Sequence, residues 1–165
     1  MNGSAPDTGN KHKVLFVCLG NICRSPAAQG IFQAITDRDG ASEFFHVDSA
    51  GTYSGHQGQL PDRRMRNAAQ MRGYSLTHRA RPVGMTDFLD FDVIVAMDDS
   101  NYGDLMHLAP SVEASRKIVR MADYLTTHSI SYIPDPYYMG ADGFELVLDL
   151  LEEACSNLYA SLKDF

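Results

Sequence analysis

Cys18 and Arg24 stand six residues apart, around a short loop that follows an apolar run and leads into a predicted helix. The backbone N–H groups of a tight loop entering a helix point inward, and with the helix dipole they form a cradle for an anion. Arg24 adds a planar guanidinium that suits two oxygens of a phosphate. Such a cradle favours the thiolate form of a cysteine at its mouth. The spacing therefore predicts that Cys18 is a nucleophile beneath a bound tetrahedral oxyanion.

Three further residues of this segment, called the cysteine loop below (residues 18–25), suit the same chemistry. Gly20 lets the backbone approach a ligand closely, and Asn21 tolerates the left-handed conformation that tight turns demand. Ser25 can donate a hydrogen bond to the thiolate. Followed by Pro26, Ser25 also has the residue type expected of a helix cap. This agreement makes the cysteine loop a stronger signal than the Cys-to-Arg spacing alone.

A second candidate group lies late in the chain, in the acid loop (residues 133–140), which contains two prolines. Release of an aryl oxygen during phosphoryl transfer needs a proton donor, and Asp135 is the candidate. Pro136 fixes the backbone beside it. Tyr137 and Tyr138 are predicted to wall the site with aromatic surface and to keep water scarce. The two prolines predict that this segment forms no regular structure, so we expect the acid loop to be rigid and irregular.

Short apolar runs alternate with helical patterns along the chain, and these elements must position the two loops. Continuous apolar runs are typical of strands buried on both faces of a parallel sheet. Strands alternating with helices predict a three-layer α/β domain with a four-stranded parallel sheet flanked by helices. Ligands of such sheets bind beyond the carboxyl ends of the strands, which is where Cys18 stands. The predicted strands are 13–17, 44–48, 92–97 and 117–121. The first predicted helix starts at 25, and others span 62–72, 86–89 and 144–162; a turn over 98–101 leads to one more, which ends near 107.

The totals of the sequence restrict the possible partners and the compartment. The chain has 165 residues and a formal net charge of −7, which excludes a broad surface for nucleic acid or for an anionic membrane. Its three cysteines do not form a disulfide scaffold and fit a reducing, cytoplasmic setting. No run is long enough to span a membrane, and the polar start is not a secretory signal. We expect a disordered tail over residues 1–11, one domain over 12–165, and a monomer.

The sequence Cys-Leu-Gly-Asn-Ile-Cys-Arg-Ser-Pro of residues 18–26, with Asp-Pro-Tyr-Tyr of residues 135–138, closely resembles the low-molecular-weight protein tyrosine phosphatases. Asp-Ser-Ala-Gly-Thr of residues 48–52, Pro-Asp of 61–62 and Ala-Met-Asp of 96–98 also fall in the order of that family. The resemblance covers nearly the whole chain after the tail. It implies the family's three-layer fold and hydrolysis of phosphotyrosine in proteins, or of other aryl phosphates, without a metal ion or cofactor.

The resemblance also implies a role for each matching residue. Cys18 is the nucleophile that forms a phosphocysteine, and Arg24 holds the phosphate and stabilises the transition state. Asp135 protonates the leaving phenolate and then activates water, while Ser25 assists the thiolate. A supporting hydrogen-bond network is expected around the loop, with His78 also open to a purely structural role. The phosphate-binding residues are Leu19, Gly20, Asn21, Ile22, Cys23 and Arg24, and the supporting residues are Ser25, Asn21, Ser49 and His78.

Two positions of the cysteine loop carry further implications of the resemblance. Cys23 stands at the family's second loop cysteine, and it would form a protective disulfide with Cys18 under oxidation. Ile22 is a bulky aliphatic residue, as in the tyrosine phosphatases, where arginine phosphatases tend to have threonine. Ile22 therefore favours phosphotyrosine as the substrate.

The wall of the substrate pocket departs from the family pattern. Many members have tryptophan or another aromatic residue where this chain has Gly55, and this chain has no tryptophan. Either Tyr53 replaces that wall or the pocket is wider. His56 is equally consistent with a pocket wall and with an exposed loop residue. The predicted pocket residues are Tyr53, His56, Tyr137 and Tyr138.

Several simpler or rival interpretations compete with this one. Cys18 and Cys23 have a spacing that can suit zinc, but the chain offers no histidine pair at ligand spacing. Asp135 alone would be a common turn former, and Cys155 is expected to be core packing. A thiol-dependent arsenate reductase shares the fold, but it needs resolving cysteines that are missing between Cys23 and Cys155. A non-catalytic phosphate binder would need neither Cys18 nor Asp135.

Overall fold

The computed structural model describes residues 11–163, which form a parallel sheet with helices on both faces. The predicted tail of residues 1–11 lies, except for residue 11, outside the described residues. The strands are β1 His12–Cys18, β2 Phe45–Gly51, β3 Val93–Ala96 and β4 Ile118–Arg120, in the order β2-β1-β3-β4. Every pairing is parallel. The predicted four-stranded parallel sheet is confirmed.

Six helices surround the sheet within residues 11–163. They are α1 Arg24–Arg38, α2 Arg63–Met71, α3 Asp87–Asp90, α4 Asp99–Leu108, α5 Val112–Ser115 and α6 Ala141–Leu162. None of the helices in this part of the chain is long and apolar enough to cross a membrane.

The central strand β1 shows why three layers form. Its four residues 14–17 are fully buried, because successive side chains of a strand point to opposite faces and both faces are covered. Val14 and Phe16 pack into the core formed with α1, α2 and α6. Leu15 and Val17 pack on the other side against residues of α3 and α4, such as Phe88 and Leu105. The predicted three-layer architecture is therefore confirmed.

Some short elements differ from the sequence prediction. Phe44, predicted to begin the second strand, ends a 3₁₀ turn over Ser42–Phe44. The expectation that the prolines of the acid loop forbid regular structure is wrong, because a 3₁₀ turn spans Pro136–Tyr138. Proline is tolerated at the first helical position, because an N–H there would have no partner within the helix. Helix α5 and a 3₁₀ turn over Met121–Tyr124 were not predicted.

The order of the strands places the functional loops together. Strand β1 lies between β2 and β3. The connection that leaves β1 runs to β2 on one side, and the connection that leaves β2 runs past β1 to β3 on the other side. A crevice opens at such a switch point in parallel sheets. The cysteine loop leaves β1 at this edge, and Asp98 follows β3 at the same edge as the cap of α4. The acid loop joins them through the Ile133 N–H, which donates to Met97 O over 2.8 Å.

Candidate active site

The cysteine loop turns sharply between β1 and α1. Asn21 has a φ of 59°, the left-handed conformation that asparagine tolerates better than most residues. The predicted helix cap at Ser25 is wrong: the cap position is Cys23, and Ser25 lies inside the first turn. The serine side chain is instead turned toward the thiol, because Ser25 Oγ lies 3.0 Å from Cys18 Sγ.

The hydrogen bonds around Ser25 limit the acceptors that its proton can reach. Asn21 Nδ2 donates to Ser25 Oγ over 2.8 Å, so the serine oxygen is already an acceptor. Its own proton is then available to Cys18 Sγ, or to the more distant Ala50 O at 3.4 Å. Both Cys18 and Ser25 are buried. The arrangement can therefore donate one hydrogen bond to a thiolate at position 18.

Asn21 is itself held by three residues from two other parts of the chain. Its Nδ2 also donates to Ser49 Oγ over 3.0 Å, while its Oδ1 lies 3.0 Å from His78 Nε2 and accepts from the Arg81 N–H over 3.0 Å. Ser49 in turn donates to Gln29 Oε1 over 2.6 Å. The structure thus brings together the predicted supporting residues and adds Gln29 and Arg81.

Burial and two charged neighbours together set the pKa of His78. Burial lowers the pKa of the imidazole, the Asp48 carboxylate 3.4 Å away opposes that effect, and Arg81 adds to it. The net result is a pKa below the ordinary value of 6.5. The neutral ring is therefore favoured beneath the cysteine loop.

Arg24 is only 2% exposed, although it carries a full charge. Its Nη1 donates to Asp98 Oδ2 over 2.7 Å and to Ile133 O over 3.0 Å. Burial disfavours the charged guanidinium, but Cys18 and Asp98 outweigh it and raise the pKa of Arg24. Asp98 therefore does more than cap α4: it fixes the plane of the arginine at the floor of the crevice.

Asp135 reaches the same place from the acid loop. Its Oδ1 accepts from the Tyr137 N–H over 3.1 Å and caps the 3₁₀ turn. Its Oδ2 lies 3.6 Å from Arg24 Nη2. The carboxylate is 38% exposed, so it stands at the mouth of the crevice while Arg24 lies at the base.

These groups line one cavity of about 330 Å³. A Cβ at Gly20 would lie 2.9 Å from His56 Cδ2, so glycine is what allows the loop and His56 to approach. The predicted supporting residues Asn21, Ser25, Ser49 and His78 do not line this cavity. The lining residues are Cys18, Leu19, Gly20, Ile22, Cys23, Arg24, Tyr53, His56, Asp135, Tyr137 and Tyr138.

The rim of the cavity is aromatic. The ring of His56 lies 6.0 Å from that of Tyr53 and 6.3 Å from that of Tyr137, and its Nδ1 is 3.0 Å from Gln59 Oε1. Tyr137 and Tyr138 meet edge to face with centroids 4.9 Å apart. Tyr138 is 93% exposed, whereas Tyr53 is 54% exposed. His56 is therefore a wall residue between two tyrosines.

Gly55 explains how Tyr53 takes its position. A Cβ built on Gly55 would lie 2.1 Å from the Tyr53 ring atom Cζ. No side chain at position 55 could share that space with the tyrosine ring. The two sequence features therefore belong together: the absence of an aromatic residue at 55 makes room for one at 53.

The other two cysteines have different surroundings. Cys23 lines the cavity and is buried, and burial together with Asp62 raises the pKa of its thiol. Its disulfide with Cys18 stays a prediction. Cys155 is fully buried in α6, where its thiol faces Ala28 O at 3.7 Å, so the predicted core position is confirmed. Within residues 11–163, His, Cys, Asp and Glu side chains form no group of three or more that could hold a metal ion.

Two residues of the network were missed from the sequence. Gln29 stands one helical turn after Ser25 on α1, so helical spacing places it on the same face and could have indicated it. Arg81 comes from an irregular segment and uses its backbone N–H. No residue pattern signals a backbone donor of that kind.

Comparison with known proteins identifies the family to which this chain is similar. The model of the family "Low molecular weight phosphotyrosine protein phosphatase" matches residues 13–164. A relative from Synechocystis is 48% identical over 150 residues, which cover 91% of this chain and 96% of that protein. Low molecular weight protein-tyrosine-phosphatase YfkJ of Bacillus subtilis is 40% identical and covers 91% of this chain and 95% of its own.

A solved structure gives the same result for the fold. The protein tyrosine phosphatase of Entamoeba histolytica, crystallised with Hepes in the active site, superposes with a TM-score of 0.91 and 45% identity. The match covers 93% of this chain and 98% of that one. The sequence, the sheet order and these similarities lead to one conclusion: the chain belongs to the low molecular weight phosphotyrosine protein phosphatase family and is a phosphatase.

Proposed function

We propose that this protein hydrolyses phosphotyrosine through a phosphocysteine intermediate on Cys18. The observation that carries the proposal is the meeting of a thiol, a buried guanidinium and a carboxyl group in one cavity, from positions 18, 24 and 135. Each group lies where the reaction needs it: the thiol and Arg24 in the crevice and Asp135 at its mouth. That placement supports the roles that we propose for these residues.

The first step transfers the phosphoryl group to sulfur. The Cys18 thiolate attacks phosphorus, the P–S bond forms, and the bond between phosphorus and the aryl oxygen breaks. Asp135, in its protonated form, gives its proton to that oxygen, so the product that leaves is a neutral phenol. Arg24 and the loop amides of residues 19–24 bind the equatorial oxygens and stabilise the charge that develops on them.

The second step returns the enzyme to its initial state. Asp135, now a carboxylate, takes a proton from a water molecule as that water attacks phosphorus. The P–S bond breaks, inorganic phosphate leaves, and the thiolate is regenerated. Ser25 stabilises the departing thiolate with the proton that its contact with Asn21 leaves available. Because Arg24 and the amides supply the positive charge, no step needs a metal ion or cofactor.

The aromatic rim supports an aryl substrate. Tyr53, His56 and Tyr137 stand around the mouth of the cavity, where a phenol ring would stack while its phosphate reaches the cysteine loop. Ile22 lines the cavity and gives an apolar contact for that ring. The Entamoeba structure holds Hepes, whose sulfonate is a tetrahedral anion like phosphate. Tyr138 is so exposed that we assign it to the outer edge of the pocket.

The surroundings of the cysteines bear on the compartment and on a rival activity. All three cysteines are free and buried, which fits a cytoplasmic enzyme, and we propose that it acts as a monomer. Cys155 lies in the core rather than beside the cavity. That position disfavours an arsenate reductase, which would need a further thiol within reach of the nucleophile.

The test is hydrolysis of p-nitrophenyl phosphate and of a phosphotyrosine peptide in the presence of EDTA. We expect Cys18→Ser to abolish turnover, whereas Cys155→Ala, the matched control at a core cysteine, retains it. Asp135→Asn should lower kcat by about 10²- to 10⁴-fold, the contribution of a positioned general acid. Turnover that survives Cys18→Ser would overturn the mechanism. A wild type that binds phosphate but releases no phenol would leave a phosphate binder as the better interpretation.

A further inference from the structure

Arg64, in the first turn of α2, makes an unusually complete set of contacts for a surface arginine. Its Nε and Nη2 donate to the two carboxylate oxygens of Asp62 over 3.1 and 2.9 Å. The same Nη2 also donates to Tyr137 O in the acid loop over 3.0 Å. Although the side chain is 50% exposed, its guanidinium is therefore fixed in the plane that these three acceptors define.

Two aromatic rings hold the guanidinium in the remaining directions. Arg64 Cζ lies 5.4 Å from the ring centroid of Tyr137 and 4.8 Å from that of Phe144 at the start of α6. Both distances lie within the range of cation–π attraction. Arg64 thus joins α2, the acid loop and α6 at one point on the surface.

The contacts of Arg64 extend to both catalytic loops. On one side, the Asp62 N–H donates to Ile22 O in the cysteine loop over 2.7 Å. On the other side, Tyr137 accepts from Arg64 with its carbonyl and donates its N–H to Asp135 Oδ1. The residue that orients the carboxyl group of Asp135 is therefore the one that Arg64 fixes.

We propose that Arg64 is a positioning residue for Asp135, which holds the carboxyl group over the cysteine loop while the leaving oxygen is protonated. This inference rests on the proposed function, in which Asp135 is the general acid. Arg64 contacts neither the phosphate nor the phenol in the proposal, since it does not line the cavity. Its effect passes through the turn at Pro136–Tyr138.

The shape of arginine is essential to this role. A lysine at position 64 would keep the charge, but one ammonium group cannot serve both Asp62 oxygens and the Tyr137 carbonyl in a fixed plane. Without the arginine guanidinium, the 3₁₀ turn beside Asp135 loses its hydrogen bond to α2 and keeps those within the acid loop. Displacement of an acid by about 1 Å can cost on the order of 10²-fold in rate.

Leaving-group dependence separates loss of the acid from general damage. Phenyl phosphate releases a basic phenolate and needs the proton, whereas 2,4-dinitrophenyl phosphate releases a weakly basic one and does not. We would measure kcat/KM, which reports formation of phosphocysteine, for both esters with wild type, Arg64→Met, Arg64→Lys and Arg63→Met. Arg63 is the exposed neighbour of Arg64 on α2. Within residues 11–163 its side chain makes no hydrogen bond or ion pair, so Arg63→Met is the matched control.

The expected result is selective. Arg64→Met should lower kcat/KM for phenyl phosphate by about tenfold or more and for the dinitrophenyl ester by less than about twofold. Arg64→Lys should fall between wild type and Arg64→Met, and Arg63→Met should match wild type. Inhibition by inorganic phosphate should not change in any of them, because the cysteine loop still binds the anion. Urea unfolding of each variant shows whether the protein is folded at the assay temperature.

A double variant completes the test. On the Asp135→Asn background, Arg64→Met should change kcat/KM for phenyl phosphate by less than about twofold, since the acid it positions is gone. Equal losses for both esters in Arg64→Met, or a full further loss on the Asp135→Asn background, would overturn the inference while leaving the proposed function intact. If Asp135→Asn itself lost activity equally with both esters, the general acid assignment would fail and the inference with it.

Discussion

The cysteine loop and the acid loop carry the two halves of the proposed reaction, and the protein holds them in different ways. The functional side chains of the cysteine loop, Cys18, Asn21, Arg24 and Ser25, are all buried. Each is fixed by hydrogen bonds to the interior, so nucleophile and anion cradle are extensions of the core. The acid loop instead has two buried residues, Ile133 and Pro136, and its other contacts lie near the surface.

The difference follows from what each loop must do. A cradle for a dianion must be aligned before the substrate arrives, because reorganising dipoles during the reaction would cost much of their effect. The acid must meet an oxygen that enters and leaves with the substrate, so it has to stand at an open mouth. Damage to the cysteine loop should therefore lower both stability and activity, whereas damage to the acid loop should lower activity alone.

The strongest test of this difference is to measure the free energy of unfolding in matched variants of the two loops. Asn21→Ala removes a side chain that satisfies Ser25, Ser49 and His78, and it leaves alanine in a left-handed conformation. We expect the free energy of unfolding in urea to fall by about 3 kcal/mol, from unsatisfied buried groups and backbone strain. Asp135→Asn should change it by less than about 0.5 kcal/mol, as is usual for exposed positions. Similar losses in the two variants would mean that both loops are part of the core.

Most of the fold was predictable because it depends on short-range patterns. The apolar run of residues 14–17 indicates a strand buried on both faces, and the alternation of such runs with helices restricts the topology to a few parallel arrangements. The chemistry of the cysteine loop was also local, since Cys18, Arg24 and Ser25 lie within eight residues of the chain. What the sequence could not indicate were distant backbone partners such as the Arg81 N–H, because tertiary packing alone places them.

The acid loop was predicted less completely for the same physical reason. Its composition identified Asp135 and two tyrosines, but two prolines suggested an irregular loop where the chain forms a capped 3₁₀ turn. The contacts that hold it come from Arg64, seventy-three residues earlier in the sequence. A side chain that acts from such a distance leaves no spacing signal, so Arg64 was not among the predicted site residues.

A second prediction concerns Tyr53 and His56, the part of the aromatic rim that belongs to neither loop. Gly55→Ala places a Cβ in the space of the Tyr53 ring, so the ring must leave its position beside His56. We expect KM for p-nitrophenyl phosphate to rise about fivefold, since one aromatic contact contributes about 0.5–1.5 kcal/mol. Inhibition by inorganic phosphate should stay unchanged, because the cradle lies below the rim.

The matched control for the rim is Gly84→Ala, since a Cβ at Gly84 would meet no atom within 4 Å. That variant should keep the KM of the wild type. An unchanged KM in Gly55→Ala would show that Tyr53 takes no part in holding the aryl group. A changed affinity for phosphate would show that the rim and the cysteine loop are coupled, against the separation proposed above.

The smallest expected effect is a pH dependence of stability that belongs to the cysteine loop. Burial keeps the folded-state pKa of His78 below its ordinary value of 6.5, although Asp48 partly opposes this. The unfolded chain therefore binds a proton at a higher pH than the folded chain does. The contribution of His78 is fully present above pH 6.5 and is lost as the pH falls through the folded-state pKa. We expect the wild type to lose stability to urea on acidification from about pH 7.5 to about pH 5.5, the range in which histidine titrates.

His78→Gln separates this contribution from that of other groups. The variant should be less stable than wild type at about pH 7.5, because the contact with Asn21 Oδ1 is altered, yet its stability should fall less on acidification. His107→Gln, on the exposed end of α4, is the matched control and should follow the wild type. A wild type whose stability rises as the pH falls would mean that the protonated ring is stabilised by Asp48 more strongly than burial disfavours it. In that case the support beneath the cysteine loop would be an ion pair rather than a neutral hydrogen-bond network.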